Sequence, residues 1–250
     1  MSKKGLQLNT EFRYLTPLNS GLLAFEFLEK DDSEPDLEER YLVHWQQNSY
    51  FNENWRASID ITNVSDDNYL TDLTSNYGNA TDTQLYRTGT LNYLGEAWSA
   101  QLKLQNFEVL GDHTESYAAL PQIAWQTTEA VQWQGIDWSL QGEFSHFKND
   151  DLIITDASRL HIEPKASYSI SDTAWSFLSE ASLLHTYYQQ DGNLNDTQFD
   201  ERVNRTLPKL RLHAQMNLER DTKFVVDDGV QTLEPQLQYL YVPNKNGRFR

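Results

Sequence analysis

The residues of this 250-residue chain best suited to acid–base or metal chemistry are six histidines: His44, His113, His146, His161, His185 and His213. Each falls in a different segment. None belongs to an H-x-H or H-E-x-x-H pair, and none has a carboxylate at ligand spacing, so no metal centre is expected. Cysteine is absent, which excludes disulfides, thiolate-held zinc and a thiol nucleophile. Asp191-Gly192-Asn193-Leu194-Asn195-Asp196 opens like a calcium loop. It lacks the sixth-position glycine and the twelfth-position glutamate, where Arg202 stands, and reads as a polar surface loop. Asn79-Ala80-Thr81 and Asn195-Asp196-Thr197 match the glycosylation pattern, a match common by chance. There is no G-x-S-x-G and no Gly-rich phosphate loop. Carboxylates are so plentiful that position singles out no glycosidase dyad. Catalytic residues, cofactors and metals are each expected to be none, and the chain reads as a non-enzyme.

Two other residue sets recur with position. Tryptophan opens a segment four times: Trp55, Trp98, Trp138 and Trp175, at spacings of 43, 40 and 37 residues. A ring that is half apolar and half polar, repeated at one end of alternate segments, is the sign of an aromatic girdle at a membrane interface. Proline stands inside apolar segments at Pro121, Pro164, Pro208 and Pro235, each in the apolar phase. Lacking the ladder N–H, it marks a strand start, a bulge or a weakened pairing.

The elements that must position these residues are strands. Apolar and polar residues alternate with period two: Leu6, Leu8, Phe12 and Tyr14 against Gln7, Asn9, Glu11 and Arg13, or Trp98, Ala100, Leu102 and Leu104 against Ser99, Gln101, Lys103 and Gln105. The same holds at 40–46, 55–62, 136–144, 160–168, 210–218 and 233–241. Weaker segments at 21–29, 84–94, 117–127 and 174–187 bring the count to about twelve. Each approaches the roughly 9–11 residues that cross a bilayer at a tilt. No amphipathic helix is convincing. The polar phase holds Arg13, Arg40, His44, Arg56, Lys103, Glu143, His161, Lys165, Lys209 and Arg211, which a barrel would turn to its lumen and a soluble sandwich to water. Connections alternate short (16–20, 47–54, 95–97, 128–135, 171–173) with long and polar (31–39, 64–83, 107–115, 148–158, 189–204), the layout of an outer-membrane barrel. The run from Glu29 to Arg40 reads as a solvated acidic loop.

Composition sharpens this. Twenty Lys and Arg against 37 Asp and Glu give a net charge of −17, which speaks against nucleic acid, whose partners need a basic footprint. Mean hydropathy is −0.68, yet aromatics make up 12%. No apolar run approaches 18 residues, so no membrane-spanning helix is expected; a transmembrane barrel, averaging its two phases, is untouched by that test. No signal peptide is visible behind Met1.

Particular phrases add a resemblance. The segment Gly5-Leu6-Gln7-Leu8-Asn9-Thr10-Glu11-Phe12-Arg13-Tyr14 resembles a mid-barrel strand of the LPS-assembly (LptD, organic solvent tolerance) family. So do Val64-Ser65-Asp66-Asp67-Asn68-Tyr69, Arg159-Leu160-His161-Ile162-Glu163-Pro164 and the run from Leu233 to Pro243. The likeness covers about residues 5–243. It implies a large barrel preceded by a periplasmic β-jellyroll, with the lipoprotein LptE enclosed in the lumen. Lipopolysaccharide would leave through an opening between first and last strands. Family cysteines lie outside the matched region. The expectation is therefore an all-β, antiparallel transmembrane β-barrel in the Gram-negative outer membrane, residues 1–250 forming a single segment, an arc of a larger barrel from a fragment or truncated reading frame. Its expected work is lipopolysaccharide transport and insertion into the outer leaflet. The expected partners are LptE, lipopolysaccharide and outer-membrane lipid. The alternatives are a general diffusion porin or substrate channel, or a soluble secreted polysaccharide-binding β-sandwich; closure into a small barrel also stays open.

Overall fold

A computed structural model of the chain describes residues 4–31, 39–114, 116–149, 152, 154–192, 200–222 and 229–243. Its first half holds β1 (Gln7–Leu15), β2 (Asn19–Leu28), β3 (Arg40–Tyr50), β4 (Trp55–Val64), the single helical turn α1 (Tyr69–Asp72), β5 (Gln84–Leu94) and β6 (Trp98–Val109). The second holds β7 (Ala118–Thr127), β8 (Val131–Trp133), β9 (Ile136–Lys148), β10 (Ile154–Ser171), β11 (Trp175–Gly192), β12 (Arg202–Met216), β13 (Leu218–Thr222), β14 (Gly229–Leu233) and β15 (Gln236–Tyr241).

One antiparallel sheet of thirteen strands runs β1-β2-β3-β4-β5-β6-β7-β9-β10-β11-β12-β15, with β8 folded onto β9. Its two ends, β1 and β15, do not pair with each other, so the sheet is an arc and not a closed barrel. The strands beyond the expected twelve have local causes. At β8–β9 the residues Gln134 and Gly135 both take positive φ, 52° and 77°, the conformation of a two-residue turn that folds a tight hairpin inside the short connection. The alternation read as one run at 210–218 breaks at Asn217, and the run at 233–241 breaks at Glu234-Pro235. Between the breaks β13 and β14 pair only with each other, as a ribbon beyond the short-turn rim. α1, also unforeseen, is one turn long.

Strand length divides the sheet. β1 to β5 have 9 to 11 residues, whereas β10 and β11 have 18 each and β12 has 15. The main buried apolar cluster lies toward the short-stranded end. It joins Leu28, Leu42, Val64, Leu85 and Leu110 to Tyr69, Leu70 and Leu73 of the connection between β4 and β5. Among the described residues no helix is long and apolar enough to cross a membrane. Strand spans are not addressed by that test.

Candidate functional site

Register assigns every strand residue to one of two faces, since side chains alternate along a strand and pair across a ladder. Rows such as Glu11–Ala24–His44–Thr62 and Thr90–Lys103–Gln122–Ser145–Arg159 define a polar face. All ten residues expected in the polar phase, from Arg13 to Arg211, lie on it. The other face carries Phe12, Leu23, Phe25, Trp45, Leu104, Ile123, Leu140, Tyr168 and Leu183, all exposed. On that face Trp125 covers Gly142, its ring occupying the space a side chain at 142 would need.

At the short-stranded end the connection 65–83 folds back over the polar face. Arg40 holds it. Its guanidinium is 1% exposed and donates to Asp31 at 2.8 Å, to both oxygens of Asp66 at 2.9 and 3.0 Å, and to Asp72 at 3.1 Å. A guanidinium buried this deeply is stable only with its charge matched and its donors satisfied. Tyr69 donates to Glu26 at 3.1 Å, and Ser75 donates to the other oxygen of the same carboxylate at 3.0 Å. Tyr77 donates to Glu11 and stacks on His44 at 4.7 Å. Burial, then the Glu26 charge, raises the Tyr69 phenol well above its ordinary range. Burial and the Glu11 carboxylate push Tyr77 up to about 12. The acidic run from Glu29 to Arg40 is thus not simply a solvated loop: Asp31 and Arg40 are buried at its ends, and positions 32–38 lie outside the described residues.

At the long-stranded end no connection covers the face among the described residues. Ion pairs and hydrogen bonds cross it strand by strand. Glu143 accepts from Arg159 at 2.5 Å and Glu163 from Gln141 at 2.8 Å. Glu180 takes Arg211 at 2.9 Å and Lys165 at 3.7 Å. A groove of about 350 Å³ runs beside them, lined in part by Gln126, Ser139, Gln141, Glu163, Lys165 and Ser167.

Trp55, Trp98, Trp138 and Trp175 all lie exposed on the apolar face, at the short-turn ends of β4, β6, β9 and β11. Followed along hydrogen-bonded rows, Trp98 sits two residues, Trp138 four and Trp175 ten residues nearer that rim than Trp55. The prolines do not share one device. Pro121 stands at a register shift between β7 and β9. Pro235 precedes β15 at the rim, its carbonyl accepting from Met216. Pro164 and Pro208 occupy one row on either side of Leu183, and the β10–β11 ladder skips the Pro164 position. That row carried across to β15 meets Pro243, where the β12–β15 ladder has already stopped at Tyr241.

The histidines are dispersed. His44 and His161 accept or donate to Thr62 and Thr186 on the polar face, and His213 lies there too. His185 bonds Thr206 on the apolar side. Among the described residues no three His, Asp or Glu converge as a metal site. The calcium-like loop ends β11 with Asp191 and Gly192; the rest of it lies outside the described residues. What sequence reasoning missed is the packed connection. Its signal was present: Leu28, Leu42 and Val64 interrupt the polar phase, all at the long-loop ends of their strands.

Residues 38–249 match the model of the family described as LPS transport system D, LptD. An LPS-assembly protein LptD of Pseudoalteromonas translucida is 61% identical over 246 residues, 98% of this chain and 33% of that protein. Those of Shewanella frigidimarina and Aliivibrio fischeri are 38% and 36% identical over 97% of the chain, 32% of each relative. The chain thus spans about a third of the length of these curated relatives.

Proposed function

This chain belongs to the LptD family, and from that premise we propose that it forms part of an outer-membrane barrel wall that transports lipopolysaccharide and inserts it into the outer leaflet, without catalysis. The observation that carries this reading is the division of one sheet into an exposed apolar face and a charged polar face, in a chain 61% identical to an LPS-assembly protein.

The apolar face meets lipid, and the ladders satisfy the backbone groups that hydrocarbon cannot. The four tryptophans form the interface girdle. Their stagger of ten residues over the six strand steps from β4 to β11 supports this. With a rise of about 3.3 Å per residue and a spacing of about 4.8 Å between strands, it corresponds to a tilt of roughly 50°, close to that of transmembrane barrels. Over the first four steps the stagger of four residues corresponds to roughly 35°, so the two values bracket that tilt and the rings fall in one band at the rim.

The polar face lines a wet lumen. It gives the saccharide head of the lipid a hydrated path and offers the lipoprotein LptE a polar wall. The packed connection 65–83 narrows the long-loop end of that path at β1–β5. The free edges β1 and β15 would pair with further strands of the same barrel. Residues 1–250 are in this reading one continuous wall segment.

The test is complementation by the full-length protein in a Gram-negative strain depleted of its own. Surface lipopolysaccharide is expected to fall on depletion and to return with the intact protein. Normal surface lipopolysaccharide throughout depletion would overturn the reading.

A further inference from the structure

The chain carries a net charge of −17, yet its cations are not spread evenly. On the polar face of β10, β11 and β12 two adjacent rows read Lys165–Ser182–Lys209 and Ser167–Glu180–Arg211. On these three strands they hold three cations and one carboxylate; Asp137 continues the second row on β9 and Glu163 stands beside Lys165, so the positive surplus is confined to β12, at Lys209 and Arg211. Lys165 and Lys209 stand two strands apart, roughly 9.6 Å at ordinary strand spacing, with only a serine hydroxyl between them. Glu180 draws Lys165 and Arg211 toward itself. Lys209 is exposed and makes no ion pair among the described residues. The Arg211 Nε is buried without an acceptor. The charge of Lys209 and the Nε donor of Arg211 are therefore unspent among the described residues.

Beside this patch lies the groove of about 350 Å³ lined by Ser139, Gln141, Gln126 and Ser167, with the carboxylates Asp137 and Glu163 among them, and reaching Lys165. Its size is at the lower end of the roughly 300–1,000 Å³ usual for ligand clefts. Hydroxyls and amides facing a cleft suit a saccharide, which offers alternating donors and acceptors. Lysine as a point charge and arginine as a planar fork suit a phosphate. Neither half of the arrangement explains the other unless both chemistries arrive on one ligand.

We propose that Lys165, Lys209 and Arg211, with the adjoining groove, bind a phosphate-bearing saccharide. This deepens the transport reading and rests on it, since the polar face must be the path of the lipopolysaccharide head. Net negative charge gives no long-range attraction to such a head. Capture instead happens at short range, where two charges stand over small serines.

The experiment uses the full-length protein with its lumen partner in cells. A photo-crosslinking residue replaces Ser182, and a second version places it at Thr88, on the polar face of β5. Lipopolysaccharide is expected to be captured at 182 more than at 88. Capture at 182 should fall about fivefold with Lys209→Glu, the effect of one exposed charge contact, and recover with Lys209→Arg. It should also fall with lipopolysaccharide lacking its saccharide phosphates. Excess inorganic phosphate added to the purified complex should compete only weakly, which separates a phosphosaccharide from free phosphate. Capture of protein alone at 182, or capture indifferent to Lys209→Glu, would overturn the proposal. If that occurs while surface lipopolysaccharide still depends on the protein, the transport reading stands without this site. If surface lipopolysaccharide does not depend on the protein, the transport reading itself has failed.

Discussion

The β1–β5 end and the β9–β12 end of this sheet share one alternating pattern and are held by different means. At the first, short strands are covered by their own connection, and apolar side chains on the polar face close into a core around a buried guanidinium. At the second, strands of up to 18 residues stand bare on that face, and half-exposed ion pairs link them. The difference teaches that alternation fixes which face a residue takes, while burial on that face depends on what a distant loop brings to it. One end can lose stability through single side chains; the other distributes it along the ladders.

The comparison breaks first at Arg40. Arg40→Met removes the guanidinium that joins Asp31, Asp66 and Asp72, leaving Lys4 at 3.9 Å from Asp72 in place. Removing one partner of a buried ionic network costs about 3–5 kcal/mol. Hydrogen exchange should rise across 65–83 while β9–β12 stays protected. Equal loss at both ends would erase the distinction between them.

Leu42→Ala, next in size, opens a cavity in the buried core and should cost about 2–4 kcal/mol in detergent-refolded protein. Leu183→Ala, on the exposed apolar face of β11, should cost under about 1 kcal/mol. Denaturation midpoints of the two variants decide it; similar shifts would mean the core at β1–β5 is not special.

Glu180→Gln removes the carboxylate shared by Lys165 and Arg211. Because both cations are more than a third exposed, screening limits the loss to at most about 1 kcal/mol. A cost above that of Leu42→Ala would show the long-stranded end to be held by charge after all.

The smallest effect concerns pH. The docked connection keeps the Tyr77 phenol protonated to about 12, against an ordinary value of 10. A raised folded value means that the contribution of this contact is complete below pH 10 and disappears as pH climbs from 10 to about 12. Tyrosinate absorbance should lose a component near pH 12 in Tyr77→Phe, while the later-titrating Tyr69 is unaffected. Protease access to 65–83 should rise over the same interval in the unaltered protein, with no change at β9–β12.

Much of the fold was legible because strand parity is a local property. Leu8 and Phe12, or Trp98 and Leu104, declare their face within a few residues, and turn lengths declare the antiparallel order. The Gln134-Gly135 hairpin and the break at Asn217 needed backbone conformation that alternation does not encode. The core was harder for a different reason. Tyr69 meets Glu26 across 43 residues and Arg40 meets Asp72 across 32; in sequence each looks like a solvated charge or a loop aromatic. The basic rows of β10 and β12 were visible as polar-phase residues. Their adjacency was not, because it depends on the register that sets Lys165 opposite Ser182 and Ser182 opposite Lys209.

The neighbour-to-neighbour order of the sheet has a kinetic consequence. Every ladder joins strands adjacent in the chain, apart from steps over the small β8 and over the β13–β14 ribbon. The connections of paired strands run from two residues at 134–135 to nineteen at 65–83, a spread in closure entropy of only about 2 kcal/mol. Such a sheet grows by hairpins, each new strand finding its template already formed beside it, without waiting for a remote partner. Low separation in sequence favours rapid zipping. The free edges of β1 and β15 are the fronts at which further strands would add by the same step.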